Sequence, residues 1–224
     1  MVIYSAPGKV YLFGEHAVVY GEPAIASAID LRIQVSVERS KRPDIRTDTD
    51  TVYINRVIEK MGVDEPLKIE IDSQIPPGSG LGSSAAAVVA CIACINDEFG
   101  MGLGKREIAK LGHEIEKDVQ GIASPTDTYV STFGGMVLVP DFKSIPPLDC
   151  GIVIGDTFTF ASTKKLVEKV ANLKKRHEKV VSYIMRAIGE LSRIAEPLLY
   201  SKAVSYTHLR AHETRHDLVC RLLL

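Results

Sequence analysis

The sequence predicts an α+β fold, and three observations support that prediction. Residues Arg32–Glu38 and Leu67–Asp72 alternate apolar and polar side chains, which is the period of a half-buried strand. A glycine-rich loop at residues 78–84 precedes an apolar helix that starts near Ala85. Residues Lys105–Gln120 repeat apolar positions every three or four residues, as an amphipathic helix does. Strands and helices therefore intermix without the regular alternation of a parallel βαβ fold.

The remaining elements follow from the same two periods and from turn residues. The other predicted strands are Val2–Ser5, Lys9–Phe13, Val130–Val139 and Gly151–Gly155. Two further helices are predicted at Lys164–Leu173 and Glu178–Ile194. The polar segment Arg39–Asp50 predicts an exposed turn, so the first third of the chain is expected to be mostly sheet. Pro125 prevents the helix before it from simply continuing.

Composition and charge indicate a globular cytosolic protein. The chain has 224 residues, of which 46% are hydrophobic and 25% charged, the usual mixture for globular domains. Its 27 Lys and Arg nearly balance 28 Asp and Glu, so no overall basic excess attracts nucleic acid or an anionic membrane. The apolar run 85–95 is much shorter than the roughly 20 residues of a membrane span, and no signal peptide precedes it. Any affinity for phosphate must be local.

The cysteines predict core thiols and no zinc site. Cys91 and Cys94 lie inside the apolar run, whereas Cys150 and Cys220 stand alone in the sequence. A structural zinc site would require a second closely spaced pair.

The glycine-rich loop has the composition of an anion-binding site. Gly78, Gly80 and Gly82 alternate with other residues and precede Ser83 and Ser84 at the start of the apolar helix. Backbone N–H groups at a helix N-terminus carry partial positive charge, and glycines let an anion approach them closely. The spacing matches neither a Walker loop nor a dinucleotide fingerprint. From composition alone, a phosphate site and a plain serine-capped turn are equally favoured.

Three ordered segments bring in a family resemblance. Residues Pro7–Gly21 contain Gly-Glu-His-Ala-Val-Val-Tyr-Gly, and Pro76–Ala86 contain the glycine-rich loop. The third segment, Ile108–Thr128, contains Glu116 and Asp127, eleven positions apart. Together these segments resemble the GHMP small-molecule kinases. The resemblance implies ATP-dependent phosphorylation of a small alcohol, and the first segment is similar to that of members that convert mevalonate to 5-phosphomevalonate. Another alcohol, such as phosphomevalonate or a sugar, remains an alternative.

The resemblance also implies a set of site residues. It places Mg²⁺ on Ser84 and Glu116, makes Asp127 the general base for the substrate hydroxyl with Lys9 beside it, and lines the alcohol pocket with Glu15 and His16. The residues implied in nucleotide binding are Ser73, Pro77, Gly78, Ser79, Gly80, Leu81, Gly82, Ser83 and Ser84.

Without the resemblance, each residue has an ordinary structural role. A lone Glu116 on an amphipathic helix is typical of a solvated flank, and Asp127 after Pro125 is typical of a turn or cap. Lys9 in a strand is typical of an exposed edge charge, and His16 of a loop cap.

The resemblance implies a division into three parts. Residues 1–155 form the N-terminal domain, with the fold of domain 2 of ribosomal protein S5, and residues 156–203 form part of a ferredoxin-like C-terminal domain. Because the family's C-terminal glycine-rich motif is missing, we expect weak activity and a tendency to aggregate. A homodimer is compatible with the resemblance.

The last segment, residues 204–224, is expected to be non-native. Ser205–Leu224 resembles translated vector sequence and is excluded from the fold prediction. It contains His212-Glu213-Thr214-Arg215-His216, which matches the HExxH zinc signature, with His208 one turn earlier. A zinc hydrolase is therefore the alternative outside the kinases, although only a few residues follow His216 to complete a metal site and a cleft.

Overall fold

A computed structural model describes residues 1–47, 50–121, 123–148, 151–155 and 163–201, with side chains omitted for 163–165. Cys150, Cys220 and the whole histidine-containing tail lie outside the described residues. The proposed zinc signature therefore stays a prediction, as does the predicted division into three parts.

The described elements form a mixed fold of helices and one sheet. The strands are β1 Val2–Phe13, β2 Ala24–Arg39, β3 Asp44–Arg46, β4 Leu67–Ser73, β5 Met136–Val139 and β6 Lys143–Ile145. The α-helices are α1 Thr51–Lys60, α2 Ser83–Glu98, α3 Lys105–Gln120, α4 Pro125–Phe133, α5 Thr163–Arg176 and α6 Glu178–Tyr200, and a 3₁₀ helix spans Ala17–Tyr20. The strands pair in the order β3-β4-β2-β5-β6, and β1 pairs with β2. None of the helices in these ranges is both long and apolar enough to cross a membrane.

Several sequence predictions of individual elements are wrong. The two predicted strands within residues 2–13 are one strand, which passes through Gly8 at a point where a Cβ would lie 2.9 Å from the Leu81 carbonyl oxygen. Residues 130–133 belong to α4, because the helix ends only at Gly134, and a strand starts at Met136. Residues 151–155 have no regular structure. The first third also contains a helix, α1, and a short strand, β3, that were not predicted.

The chain divides into two compact units. The first unit comprises residues Met1–Lys9, Ala28–Pro77 and Leu81–Gly134. In it, β2 and β4 pair antiparallel, with Val35 opposite Ile71 and Val37 opposite Ile69. Apolar side chains from these strands pack with α1, α2 and α3 in one hydrophobic cluster.

Helix α2 is the most buried element of the first unit, with every described side chain but one buried from residue 85 to residue 95. Cys91 and Cys94 are free thiols in this core, and burial raises the pKa of both. This agrees with the prediction of core thiols. A helix so apolar is held by packing on all sides, which fixes its N-terminus in place.

The second unit comprises Val10–Ser27, Gly78–Gly80 and Gly135–Leu224. Here β2 pairs antiparallel with β5, and β5 pairs with β6. One apolar cluster includes Leu12, Leu138 and Ala195, and another includes Ala17 and Met185. Helix α6 contributes to both clusters and so joins this unit's strands to its short 3₁₀ helix.

Candidate active site

The N-terminus of α2 has no side-chain cap. Gly82 is the residue before the helix, has a left-handed φ of 73°, and offers no side chain to cap the first turn. A Cβ at this position would lie 3.1 Å from the Lys9 Cγ, so a glycine lets the lysine side chain pass close to the backbone. Gly78 and Gly80 also have positive φ, 69° and 76°. Backbone N–H groups at such an N-terminus can bind phosphate.

Lys9 connects this N-terminus to an acid on another helix. Its side chain is 6% exposed, its backbone N–H donates to the Leu81 carbonyl at 2.9 Å, and its Nζ lies 3.4 Å from Oδ1 of Asp127. The reading of Lys9 as an exposed edge charge is therefore wrong. A lysine this buried requires the nearby carboxylate to offset the cost of losing water.

Asp127 lies in the first turn of α4. Pro125 occupies the first helical position, and Ser124 caps the helix by accepting a hydrogen bond from the Thr126 N–H at 3.3 Å. A carboxylate in this turn is stabilised by the helix dipole. Thr126 and Thr128 on either side are fully buried, which holds the turn that presents Asp127.

Glu116 is a buried acid on α3. It is 3% exposed, and Ser84 Oγ donates a hydrogen bond to its Oε1 at 2.8 Å. Burial and the negative charge of Asp127 raise the pKa of Glu116 to about 8, while Ser84 and Lys9 act in the opposite direction. The reading of this acid as a solvated flank is wrong. The start of α2, the end of α3 and the first turn of α4 thus bring these side chains together.

Tyr53 and Gln120 are neighbours of this cluster that the sequence analysis does not identify. Burial raises the pKa of Tyr53 on α1, while the neighbouring side chains of Gln120 and Ser84 act in the opposite direction. The signal was present, because Asp50 caps α1 by accepting from the Val52 N–H at 2.9 Å and apolar residues follow at helical spacing. Recognising α1 would have placed a tyrosine near the glycine loop.

Other predicted site residues have definite local roles. Ser73 Oγ accepts from the Ile75 N–H at 3.1 Å and so closes the turn after β4. The Leu81 side chain packs in the hydrophobic core, so only its backbone faces the glycine-rich loop. In the second unit, Glu15 and His16 are half-buried, and His16 has a φ of 61°, which is unusual for a residue with a side chain.

The donor set fits a hard cation such as Mg²⁺. Within the described residues, no cluster of three or more His, Cys, Asp or Glu could hold a metal ion. Mg²⁺ does not require one, because it keeps several waters and binds substrate phosphates together with one or two protein oxygens. The touching oxygens of Ser84 and Glu116 supply a hydroxyl and a carboxylate at the helix N-terminus that would hold the phosphates.

Comparison with known proteins decides the family. Residues 51–135 match the family model for the GHMP kinases N terminal domain. A mevalonate kinase of Archaeoglobus fulgidus is 44% identical over 202 residues, which cover 85% of this chain and 70% of the relative. The chain belongs to the GHMP kinase family, among its mevalonate kinases. The resemblance carried by the three sequence segments is confirmed.

Solved structures agree with this membership. The crystal structure of the Methanococcus jannaschii mevalonate kinase is 28% identical, with a TM-score of 0.67, and the match covers 86% of this chain and 71% of that one. The L. major mevalonate kinase in complex with R-mevalonate is 25% identical, with a TM-score of 0.71 and coverage of 91% and 70%. The chain therefore has the fold of these kinases over most of its length.

Proposed function

We propose that the chain transfers the γ-phosphoryl group of ATP to the 5-hydroxyl of mevalonate and releases ADP and 5-phosphomevalonate. One observation supports this above the others: Lys9 lies against Gly82 at the N-terminus of α2 and also 3.4 Å from Asp127. A helix N-terminus suited to phosphate and a carboxylate suited to an alcohol are thus neighbours in one compact unit. Phosphoryl transfer requires both groups within reach of the same phosphorus atom.

Asp127 and Lys9 act on the acceptor alcohol. Asp127 takes the hydroxyl proton as the alcohol oxygen bonds to the γ-phosphorus and the bond to the β,γ-bridging oxygen breaks. The positive charge of Lys9 pairs with Asp127 and stabilises negative charge on the oxygens around the transferred group.

Ser84 and Glu116 hold the cation that accompanies ATP. Bound Mg²⁺ offsets the negative charge of the β- and γ-phosphates. Glu116 must be ionised for this, so its raised pKa makes cation binding and proton loss linked events. The N–H groups that follow Gly82 orient the phosphates, and residues 77–80 continue the loop.

In the second unit, Glu15 and His16 are proposed to bind the alcohol. The loop that carries them starts at Gly14, where a Cβ would lie 2.5 Å from Ala24 atoms, so its path depends on a glycine. The unusual φ of His16 is typical of a side chain held for binding. We also propose a cytosolic location, and a homodimer is compatible with the proposed function.

A panel of alcohols tests the substrate. ADP release is measured with ATP, Mg²⁺ and, in turn, mevalonate, phosphomevalonate and galactose, and we expect turnover with mevalonate alone. Asp127→Asn should lower kcat by about 10²–10⁴-fold, as loss of a proton acceptor does. Asp118→Asn is the matched control, because it neutralises an exposed acid on the neighbouring helix α3 and should leave kcat unchanged. Equal turnover of galactose, or an unaffected Asp127→Asn variant, would contradict the proposal.

A further inference from the structure

Helices α3 and α4 each carry one acid of the site, so their spacing sets the geometry of the acids. Glu116 lies near the end of α3, and Asp127 lies in the first turn of α4. The two acids are close enough for the charge of one to act on the other, and Lys9 interacts with both. A small shift of either helix therefore changes the distance between the acids.

Gly112 lies where α3 meets both neighbouring helices. It is one helical turn before Glu116 and faces the same side of α3. A Cβ on Gly112 would lie 3.3 Å from Cγ2 of Thr128 on α4 and 3.4 Å from Cγ2 of Val89 on α2. The distance to Val89 is an ordinary van der Waals contact, whereas the distance to Thr128 is tighter than usual, so an added methyl group would push α4 away by a few tenths of an ångström. The absence of a side chain lets α3 and α4 pack at their present separation.

A push on Thr128 is transmitted to Asp127. Thr128 is fully buried and follows Asp127 directly, and its Oγ1 donates a hydrogen bond to the Pro125 carbonyl at 3.2 Å. Its own carbonyl accepts from Thr132 Oγ1 at 2.7 Å. These bonds tie the first turn of α4 together, so the turn moves as one piece.

We propose that Gly112 is a positioning residue for phosphoryl transfer, because its missing side chain fixes the separation of α3 and α4 and hence of Glu116 and Asp127. The inference rests on the proposed function, since it takes both acids as parts of the reaction. It assigns no contact between Gly112 and substrate. Displacement of a reacting group by a fraction of an ångström is enough to slow an enzyme.

Gly112→Ala in the full chain separates positioning from folding. Alanine favours a helix over glycine, so the melting temperature should stay the same or rise. Turnover should fall by about tenfold, because α4 is displaced together with Asp127. The KM for ATP should change less than about twofold, because the N-terminus of α2 stays in place. A role in folding alone would instead lower the melting temperature and the activity together.

A double variant tests the contact itself. Thr128→Ser removes Cγ2, the atom nearest to the new methyl group, and keeps the hydroxyl that bonds Pro125. In Gly112→Ala with Thr128→Ser, kcat should return to within about threefold of the Thr128→Ser single variant. Lys110→Ala, at an exposed position of the same helix, is the control and should leave kcat unchanged.

Two results would overturn the inference. One is an unchanged kcat in Gly112→Ala, and the other is a loss that Thr128→Ser does not recover. A crystal structure of Gly112→Ala adds a readout independent of activity, in which the distance from Lys9 Nζ to Asp127 Oδ1 should lengthen from 3.4 Å. An unchanged distance would also overturn the inference. If the parent chain phosphorylates another alcohol, the proposed function fails, while this distance and the rescue with that alcohol still decide the role of Gly112.

Discussion

Two acids that lie two residues apart on α3 have opposite environments. Glu116 is buried, accepts a hydrogen bond from Ser84, and has a pKa raised to about 8. Asp118 is on the outer side, where it accepts from Arg56 Nε at 3.0 Å and lies 3.1 Å from Lys60 Nζ. Hydrogen bonds from Arg56 and Lys60 lower the pKa of Asp118. The same helix therefore holds one acid that resists ionisation and one that favours it.

The difference shows which kind of charge marks the candidate site. The Asp118 network has short contacts with two cations, but such exposed networks add little to stability and occur on most protein surfaces. Glu116 is instead buried, and it accepts hydrogen bonds from two neutral side chains, Ser84 and Gln120. Buried acids with strongly raised pKa values cluster at functional sites. The buried side of α3 is thus where function is expected, and the variants below test that distinction.

Among the variants that compare the two sides of α3, the largest effect is expected from the lysine of the buried side. Lys9→Met should lower kcat by about 10²–10³-fold, because the charge beside Asp127 is lost from a site with little water. Loss of Lys9 also removes an effect that lowers the pKa of Glu116, so that pKa should rise further. Steady-state ADP release with mevalonate measures the change.

Lys60→Met is the matched control from the exposed side. Lys60 also pairs with an aspartate, Asp118, at 3.1 Å, but in the surface network. Its kcat should stay within about twofold of the parent chain, as expected for an exposed pair. Equal losses in the two variants would remove the distinction between the two sides of α3.

The sequence predicts the bounds of α3 but not which of its acids is buried. The bounds Lys105–Gln120 follow from the apolar spacing and from Gly121, and the structure has the same bounds. Periodicity could not assign Glu116 to the core, because it lies at the edge of the apolar stripe next to Ile115. Its burial depends on α2 and α4, and contacts between distant segments leave no local pattern.

The same limit explains the other elements that were wrong. The run 130–139 contains no charged residue, so its change from helix to strand is marked mainly by Gly134 and Gly135, both with positive φ. The family motifs place Lys9 beside Asp127 and Ser84 with Glu116, and each of these pairs is in contact. Gly112 has no motif, since its role depends on the width of a gap between helices.

A smaller effect is expected on nucleotide binding and its pH dependence. Because Glu116 must lose a proton to hold Mg²⁺, the affinity of the parent chain for a non-hydrolysable ATP analogue with Mg²⁺ should rise from pH 7 and level off above about pH 8. Glu116→Gln should weaken binding at pH 8.5 by about tenfold and remove the rise. Isothermal titration calorimetry at three pH values measures both.

Asp118→Asn provides the comparison for this titration. Its pKa is already lowered, so Asp118 is ionised throughout the range from pH 7 to 8.5. The variant should therefore keep the parent's rise in affinity. A flat profile in the parent chain would show that proton loss from Glu116 is not linked to binding.

The smallest effect is expected on stability without ligand, and it has opposite signs for the two acids. The raised pKa of Glu116 means that the folded chain holds a proton that the unfolded chain loses between about pH 4.5 and pH 8, so this group destabilises the fold as pH rises. Glu116→Gln should raise the melting temperature by about 3 °C or more at pH 8.5 and by much less at pH 5. Asp118→Asn should lower it slightly at either pH, because a lowered pKa contributes stability that is lost only in strong acid. Thermal melts at pH 5 and pH 8.5 measure both differences. A Glu116→Gln variant that melts at a lower temperature than the parent at pH 8.5 would contradict the prediction, because the ionised Glu116 carboxylate would then stabilise the fold.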